Sequence, residues 1–287
     1  MVRVGLCRLV AALLSLLVSI GIALVPTIPA TAVSVPTSAL ELDTGVGYFL
    51  ASTVSKTNNS RALMWSKGTD ALPVLKVGWS PDGNSWSTST LPTLQSELVD
   101  RYDSTRVALS ISPTSGTLMA MWIGLSAGVT YLRSATTQDG VTWSEVKSLG
   151  SYPVSNPDSS VALVSSETTG LFTAVWKNSG PPNQMLSSTT VDDVGSAWSS
   201  LVTIPGVYGL INSPQLGIDS SGKMTAVWDV NFNSESFLMA SRSTDGKNWE
   251  NASVISIKTP YYTSSKPSIA VSPAGVVVVA THRYTSS

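Results

Sequence analysis

Short runs of apolar and β-branched residues alternate with polar turns through the chain after residue 46, and the runs recur at a regular distance. Four of the runs end in a tryptophan, namely Trp65, Trp122, Trp176 and Trp228. Successive members of this set are 57, 54 and 52 residues apart. A second set, with intervals of 57, 55 and 51 residues, consists of Trp86, Trp143, Trp198 and Trp249. Self-similarity of this kind indicates a repeat protein with units of about fifty residues.

One unit, residues 214–257, indicates what each repeat builds. It contains four short strand-like runs, separated by turn residues such as Gly222 and the Asp245-Gly246 pair. The unit therefore predicts a four-stranded antiparallel meander. Because a lone meander cannot bury both of its faces, we expect the units to stack around an axis. The sequence thus predicts an all-β protein, a β-propeller over residues 46–287, with four full repeats and a partial fifth.

The fifth repeat contains only its first two strand-like runs, residues 268–271 and 276–281. We therefore expect a ring that is incomplete, or one that a strand from the lead-in at residues 33–45 closes. An unpaired strand edge would also favour self-association of the chain.

The first 32 residues have the pattern of an export signal. Arg3 and Arg8 precede an apolar run at residues 9–25, and residues 30–32 (Ala-Thr-Ala) have the form that a signal peptidase cleaves. Cleavage after Ala32 predicts a secreted or extracellular protein. A signal that is retained would instead anchor the chain in a membrane.

Charge and cysteine usage exclude several functions. The chain has 17 Lys and Arg against 18 Asp and Glu, which is unlike the basic surface of a nucleic-acid binder. Its one cysteine, Cys7, lies in the predicted signal segment, and its one histidine is His282. The sequence therefore excludes the Cys/His patterns of zinc sites, and we expect neither a metal nor a cofactor.

A seven-residue motif, Ser/Thr-x-Asp-Gly-x-x-Trp, occurs in three of the repeats and begins at Ser80, Thr137 and Ser243. A fourth segment, residues 193–198, is interpreted as a degenerate copy that has lost the hydroxyl residue. The motifs resemble the Asp-box (BNR) repeats of the sialidase superfamily, over roughly residues 46–284. The residues expected to form these structural turns are Ser80, Asp82, Gly83 and Trp86; Thr137, Asp139, Gly140 and Trp143; Asp193, Gly195 and Trp198; and Ser243, Asp245, Gly246 and Trp249.

The chemistry of the motif suits a structural turn. A short Asp side chain accepts N–H bonds from the residues that follow it, Gly takes a positive φ, and Trp covers the turn. The resemblance implies that these turns join the third and fourth strands, on the face away from the ligand. Trp79 has no partner in the other repeats, so a ligand role is considered for it beside the more favoured packing role.

The opposite face then carries the loops after each second strand and the loops between repeats. Amides, carboxylates and aromatic rings around one rim suit a hydroxyl-rich ligand. The candidate ligand-binding residues in these loops are Asp100, Arg101, Asp103, Asn156, Asp158, Lys177, Asp229, Asn231 and Tyr261.

Three functions follow from this pattern. The leading interpretation is a secreted non-catalytic propeller that binds glycans or cell-surface ligands. Sialidases of this fold carry a Phe/Tyr-Arg-Ile-Pro motif and a clamp of three arginines. In this chain Ala-Leu follows Arg61, and no three arginines can be assigned to a clamp, so no catalytic residue is assigned. The alternatives are a divergent exo-alpha-sialidase-like glycoside hydrolase and a structural envelope repeat protein.

Overall fold

The computed structural model describes residues 42–43, 47–55, 57–69, 72–93, 98–99, 104–153, 160–178, 183–256, 259–260 and 266–281. The predicted signal segment, residues 1–32, lies outside this part of the chain, as does most of the predicted lead-in. Apart from a 3₁₀ turn at Ser104–Arg106, the regular structure of the described residues is β-strand. None of these residues belongs to a helix with the length and hydropathy needed to cross a membrane.

The strands of the described residues, in chain order, are β1 (Gly47–Val54), β2 (Arg61–Thr69), β3 (Leu72–Ser80), β4 (Ser87–Thr90), β5 (Leu98–Val99), β6 (Val107–Ile111), β7 (Leu118–Ser126), β8 (Val129–Thr137), β9 (Lys147–Pro153), β10 (Val161–Ser165), β11 (Phe172–Asn178), β12 (Gln184–Thr189), β13 (Val202–Thr203), β14 (Leu210–Ile218), β15 (Met224–Phe232), β16 (Glu235–Ser243), β17 (Ser253–Val254), β18 (Thr259–Pro260), β19 (Ser268–Val271) and β20 (Val277–Ala280).

These strands form four antiparallel sheets and a final hairpin, which we call blades 1 to 5. Blade 1 is β1 to β4, and blade 3 is β10 to β13. In blade 2, both β5 and β6 pair with β7, and β8 and β9 follow. In blade 4, both β17 and β18 pair with β16. Blade 5 is the hairpin of β19 and β20. The prediction of a β-propeller with four full repeats and a partial fifth is confirmed.

The first strand of each blade is the innermost one. Strands β1, β6, β10, β14 and β19 pack against one another in this order, so the sheets radiate from a common axis. Because consecutive strands are antiparallel, the turns after the first and third strands lie at one end of each blade. We call this end the box face, since the Asp-Gly turns are there. The other end, which carries the turns after the second strands and the connections between blades, is the hairpin face.

The core consists of layers between adjacent blades. One cluster joins blades 1 and 2 and includes Met64 and Trp122, a second joins blades 2 and 3 around Phe172, and a third joins blades 3 and 4 around Trp228. Because a central strand has a neighbour on both faces, consecutive residues in it are apolar rather than alternating. Strand β15, for example, is buried at every residue up to its last.

Candidate functional site

The turns at the box face are held by one carboxylate each. In the first turn, Asp82 Oδ1 accepts the backbone N–H groups of Asn84 (2.8 Å) and Ser85 (2.7 Å). The Ser80 hydroxyl donates to the same carboxylate and accepts the N–H of Gly83 at 2.8 Å. The same set of bonds recurs at Thr137, Asp139, Gly140, Val141 and Thr142, and at Ser243, Asp245, Gly246, Lys247 and Asn248.

These bonds stabilise the ionised form of each carboxyl group. The N–H groups of Ser85 and Asn84 lower the pKa of Asp82 from its ordinary value of 3.8 to about 2. Partial burial opposes the ionisation of Asp245, but the N–H groups of Asn248 and Lys247 outweigh it and lower its pKa to about 2. These carboxylates therefore serve as hydrogen-bond acceptors within their own turns.

The fourth turn differs from the prediction made for it. Asp192, rather than Asp193, accepts the backbone N–H of Ser196 at 2.7 Å. Thr190 supplies the hydroxyl that the sequence interpretation took to be lost, and it bridges to Trp198 as Ser243 does to Trp249. The segment from Thr190 to Trp198 is two residues longer than the other copies, so the fixed spacing between aspartate and tryptophan does not identify the aspartate of this turn. Asp193 instead accepts the Thr114 hydroxyl at 2.7 Å.

Each later box turn also packs against the preceding blade. Trp143 of blade 2 donates its indole N–H to Ser89 Oγ of blade 1 at 2.9 Å. A Cβ atom added to Gly140 would lie 2.7 Å from Trp79 Cβ, so this turn fits only without a side chain. Trp79, the tryptophan without a repeat partner, is therefore a packing residue at the box face.

The same contact recurs along the series of blades. Trp198 of blade 3 donates to Ser134 Oγ of blade 2 at 3.0 Å. In blade 3, the Ser187 hydroxyl donates to the carbonyl oxygen of Gly246 in blade 4 at 2.9 Å. The box turns thus join blades to one another, which explains their periodicity without any ligand.

The box face also contains a cavity of about 160 Å³ at the ends of the innermost strands β1, β6, β10 and β14. Its polar lining includes Ser110 and Ser165, whose hydroxyls bond to each other at 3.1 Å. Ser165 also donates to the carbonyl oxygen of Ile111 at 2.6 Å. These hydroxyls thus already form hydrogen bonds between blades 2 and 3.

At the hairpin face, six of the nine predicted ligand residues lie outside the described residues, namely Asp100, Arg101, Asp103, Asn156, Asp158 and Tyr261. The other three were expected in exposed loops, and that expectation is wrong. Lys177 lies in β11, and Asp229 and Asn231 lie in β15, all of them buried. Strand β15 runs on to Phe232 because Asn233 and Ser234 form a tight turn with positive φ at both positions.

The residue after each blade tryptophan occupies one repeated position near this face. The four residues there are Ser66, Ile123, Lys177 and Asp229, and all are buried. The same backbone position thus carries a hydroxyl, an aliphatic chain, a cation and an anion around the axis. Charged side chains are rarely buried unless they are paired. The type of side chain at this position therefore differs between blades for a reason other than packing alone.

Blade 4 places a polar cluster on one of its faces at this end. The amide of Asn212 donates to the carboxylate of Asp229 at 3.5 Å. The Ser236 hydroxyl donates to Asn231 Oδ1 at 2.6 Å. Asn212 lies opposite Asp229 on the neighbouring strand, and Asn231 lies opposite Ser236. Two amides, a carboxylate and a hydroxyl therefore share this face of the sheet.

An aromatic pair lies at the same end of blade 4. The rings of Tyr208 and Phe232 meet edge to face with centroids 5.2 Å apart, and Tyr208 also contacts the buried Phe237 at 5.8 Å. Tyr208 is 37% exposed and Phe232 is 40% exposed. The sequence analysis missed Phe232. The available signal was an aromatic residue directly before an Asn-Ser pair, the kind of turn that exposes the end of a hairpin.

The described residues include no group of three or more His, Cys, Asp or Glu side chains that could hold a metal ion.

No family model and no curated protein matches this chain. Solved structures are similar to it. The GH93 alpha-L-arabinofuranosidase of Fusarium graminearum, in complex with arabinobiose, has a TM-score of 0.56 at 14% identity, over 81% of this chain and 74% of that chain. Penicillium chrysogenum alpha-L-arabinanase, complexed with arabinobiose, has a TM-score of 0.55 at 15% identity, over the same shares.

The Hadza microbial sialidase Hz136 has a TM-score of 0.50 at 13% identity, over 71% of this chain and 46% of that chain. These neighbours are β-propeller glycoside hydrolases. At such low identity the similarity shows the fold, and this chain is a β-propeller of the architecture that these glycosidases use.

Proposed function

We propose that the protein is a secreted carbohydrate-binding propeller, and that the ligand binds at the hairpin face of blade 4. The observation that carries this proposal is the exposed aromatic pair of Tyr208 and Phe232 at that end of blade 4. The polar cluster of Asn212, Asp229 and Asn231 lies at the same end, on the other face of the sheet. An aromatic ring offers a flat apolar surface on which a sugar ring can pack.

The contrast between the two faces supports this location. At the box face the carboxylates of Asp82, Asp139 and Asp245 accept bonds from their own turns. Loops that are positioned by a rigid scaffold are where binding residues concentrate. The hairpin face carries such loops, and its buried positions differ in chemistry from blade to blade, which favours it as the ligand side.

The comparisons support a glycan over other ligands. Two of the similar structures were solved with arabinobiose, and a third is named a sialidase. The Asp-Gly turns support the narrower proposal that the chain is a divergent Asp-box repeat protein of the sialidase superfamily. The export pattern of residues 1–32 supports secretion.

A glycoside hydrolase is the second candidate, and Asp229 is the observation that favours it. Its side chain is fully buried in β15, with an amide donor from Asn212 at 3.5 Å. A carboxyl group in such surroundings can be tuned for proton transfer, which is a property that glycosidases require. Under this proposal the side chains that cover Asp229 would have to open before its carboxyl group could reach a bound sugar.

The test measures binding and turnover on one protein. The purified full chain is titrated calorimetrically with arabinobiose and with 3′-sialyllactose, after a glycan array has been used to find further ligands. We expect binding that weakens about tenfold in Phe232→Ala, which is about 1.4 kcal/mol. Val141→Ala is the matched control, since Val141 is an exposed apolar residue on the box face. Equal affinity of both variants, or no binding to any glycan, would refute the proposal.

Turnover separates the two candidates. Chromogenic arabinofuranosides and fluorogenic sialosides are incubated with the wild type and with Asp229→Asn, which keeps the shape of the side chain. Binding without turnover supports the non-catalytic protein. Turnover that Asp229→Asn abolishes while glycan binding persists supports the hydrolase.

A further inference from the structure

Blade 5 exposes a face that every other blade buries. Val278 lies three residues after the turn glycine Gly275. The residues at this position in the second strands of blades 1 to 4 are Ala62, Met119, Thr173 and Thr225. Those four are at most 5% exposed, whereas Val278 is 59% exposed. The neighbouring Val276 is 62% exposed, so the free face of the hairpin is an apolar surface.

Blade 1 exposes the complementary face. Phe49 pairs with the blade tryptophan Trp65, just as Val107 pairs with Trp122 in blade 2 and Val161 with Trp176 in blade 3. Val107 is 5% exposed and Val161 is 4% exposed, because the preceding blade covers each of them. Phe49 is 64% exposed. Of the residues before β1, the structure describes Leu42 and Asp43, which lie on the neighbouring part of this face, at Gly78 and Trp65.

The two surfaces are the two halves of the interface that joins one blade to the next. Between blades 1 and 2, between 2 and 3, and between 3 and 4, the back of one sheet packs on the front of the following sheet. In the described strands, β19 packs on β14, but β19 and β20 make no comparable contact with β1. Among the described residues, each half therefore lacks the partner surface that the repeat supplies elsewhere.

We propose that these halves meet between two copies of the chain, so that the Val278 face of one copy packs on the Phe49 face of the next. The partner is a second copy because this chain already carries both complementary surfaces. Such a contact is heterologous, since different surfaces meet, and it leaves one free half at each end. The assembly therefore grows head to tail beyond a dimer, or closes into a ring. This inference is independent of the glycan proposal.

The test uses the purified full chain in multi-angle light scattering over a range of concentrations. We expect a mass above that of the monomer, rising with concentration. Val278→Lys and Phe49→Lys should each block association, since each places a charge in an apolar contact. Both residues are exposed, so neither change disturbs the folded blade, and an unchanged Tm verifies this. Val141→Lys, at an exposed site on a box turn, is the matched control and should associate as the wild type does.

A mixing experiment tests the head-to-tail arrangement. Val278→Lys retains the Phe49 half, and Phe49→Lys retains the Val278 half. Because each variant alone is monomeric, an equimolar mixture should form a dimer and nothing larger. A wild-type chain that stays monomeric at all concentrations would overturn the proposal. So would association that both lysine variants retain, because the contact would then lie elsewhere, for example at the free strand edge of β20.

Discussion

Replacing two glycines of similar backbone conformation isolates the contact between a box turn and the preceding blade. Gly140, in the second box turn, has φ of +73°, and Gly128, in the hairpin between β7 and β8, has φ of +75°. A Cβ added to Gly128 meets no atom within 4 Å. At Gly140 it would lie 2.7 Å from Trp79 Cβ and 2.8 Å from Ser87 Oγ. Gly128→Ala and Gly140→Ala should therefore have the same cost in backbone conformation. Only Gly140→Ala adds a steric clash with the preceding blade.

The size of the difference follows from these contacts. A side chain in the left-handed region costs about 1 to 2 kcal/mol, and this applies to Gly128→Ala and Gly140→Ala alike. The clash at Gly140 adds about 1 to 3 kcal/mol, as overpacking of a tight contact does. We therefore expect Gly140→Ala to lose about 1 to 3 kcal/mol more of unfolding free energy. For a domain of this size the Tm should fall about 2 to 12 °C further.

Urea denaturation followed by tryptophan fluorescence measures this difference, with thermal unfolding as a second readout. The two variants should keep the same slope of free energy against urea, because the surface exposed on unfolding does not change. Equal destabilisation of Gly140→Ala and Gly128→Ala would refute the reasoning, since it would mean that Trp79 does not pack under the box turn.

Three further predictions concern the box turns. In the folded protein the pKa of Asp82 and of Asp245 is about 2, below the ordinary value of 3.8. The ionised carboxylates therefore stabilise the fold above about pH 4, and this stabilisation is lost as the pH falls toward 2. Urea unfolding at several pH values should show the decline, and Asp245→Asn should make it smaller. Asp245→Ala should cost about 1 to 2 kcal/mol through the two lost N–H bonds, while calorimetric titration shows unchanged glycan affinity. Thr190→Val leaves the buried N–H of Phe172 unpaired and should lower the free energy of unfolding by about 1 to 3 kcal/mol. In the same denaturation assay, Asp193→Ala should change it by no more than about 0.5 kcal/mol.

The blade organisation was predictable because it rests on local features that recur. The tryptophan sets mark strand positions, and the Asp-Gly pairs mark turns that need a positive φ, as Gly83 and Gly246 have. The tryptophan sets recur in four blades and the Asp-Gly pairs in three, so the copies reinforce one another. Counting failed only where a copy changed length, between Thr190 and Trp198, because a spacing rule cannot locate an insertion within the turn.

The proposed ligand face was harder to predict, because polar residues were expected to be exposed. An apolar run precedes each of Lys177, Asp229 and Asn231. In a single sheet with one face in solvent, such polar residues would mark the end of the strand. In a propeller the neighbouring blade covers them, so the strand continues and they become buried. Phe232 was missed for the opposite reason: it looks like a core residue, but it is the last residue of its strand and lies 40% exposed at the hairpin.

Periodicity itself separates structural from functional positions in such a molecule. The contact between one blade and the next occurs at every blade, so a residue type that recurs at every blade is explained by that contact. A ligand that is smaller than the ring meets each blade differently, so its contacts require residues that do not recur. The position after the blade tryptophan holds serine, isoleucine, lysine and aspartate in turn, and all four are buried. Packing alone would favour one apolar residue there, because burying Lys177 and Asp229 costs free energy that apolar side chains would not. The departure from the repeat at this ring is therefore a second reason, after the exposed pair of Tyr208 and Phe232, to look for a ligand at the hairpin face.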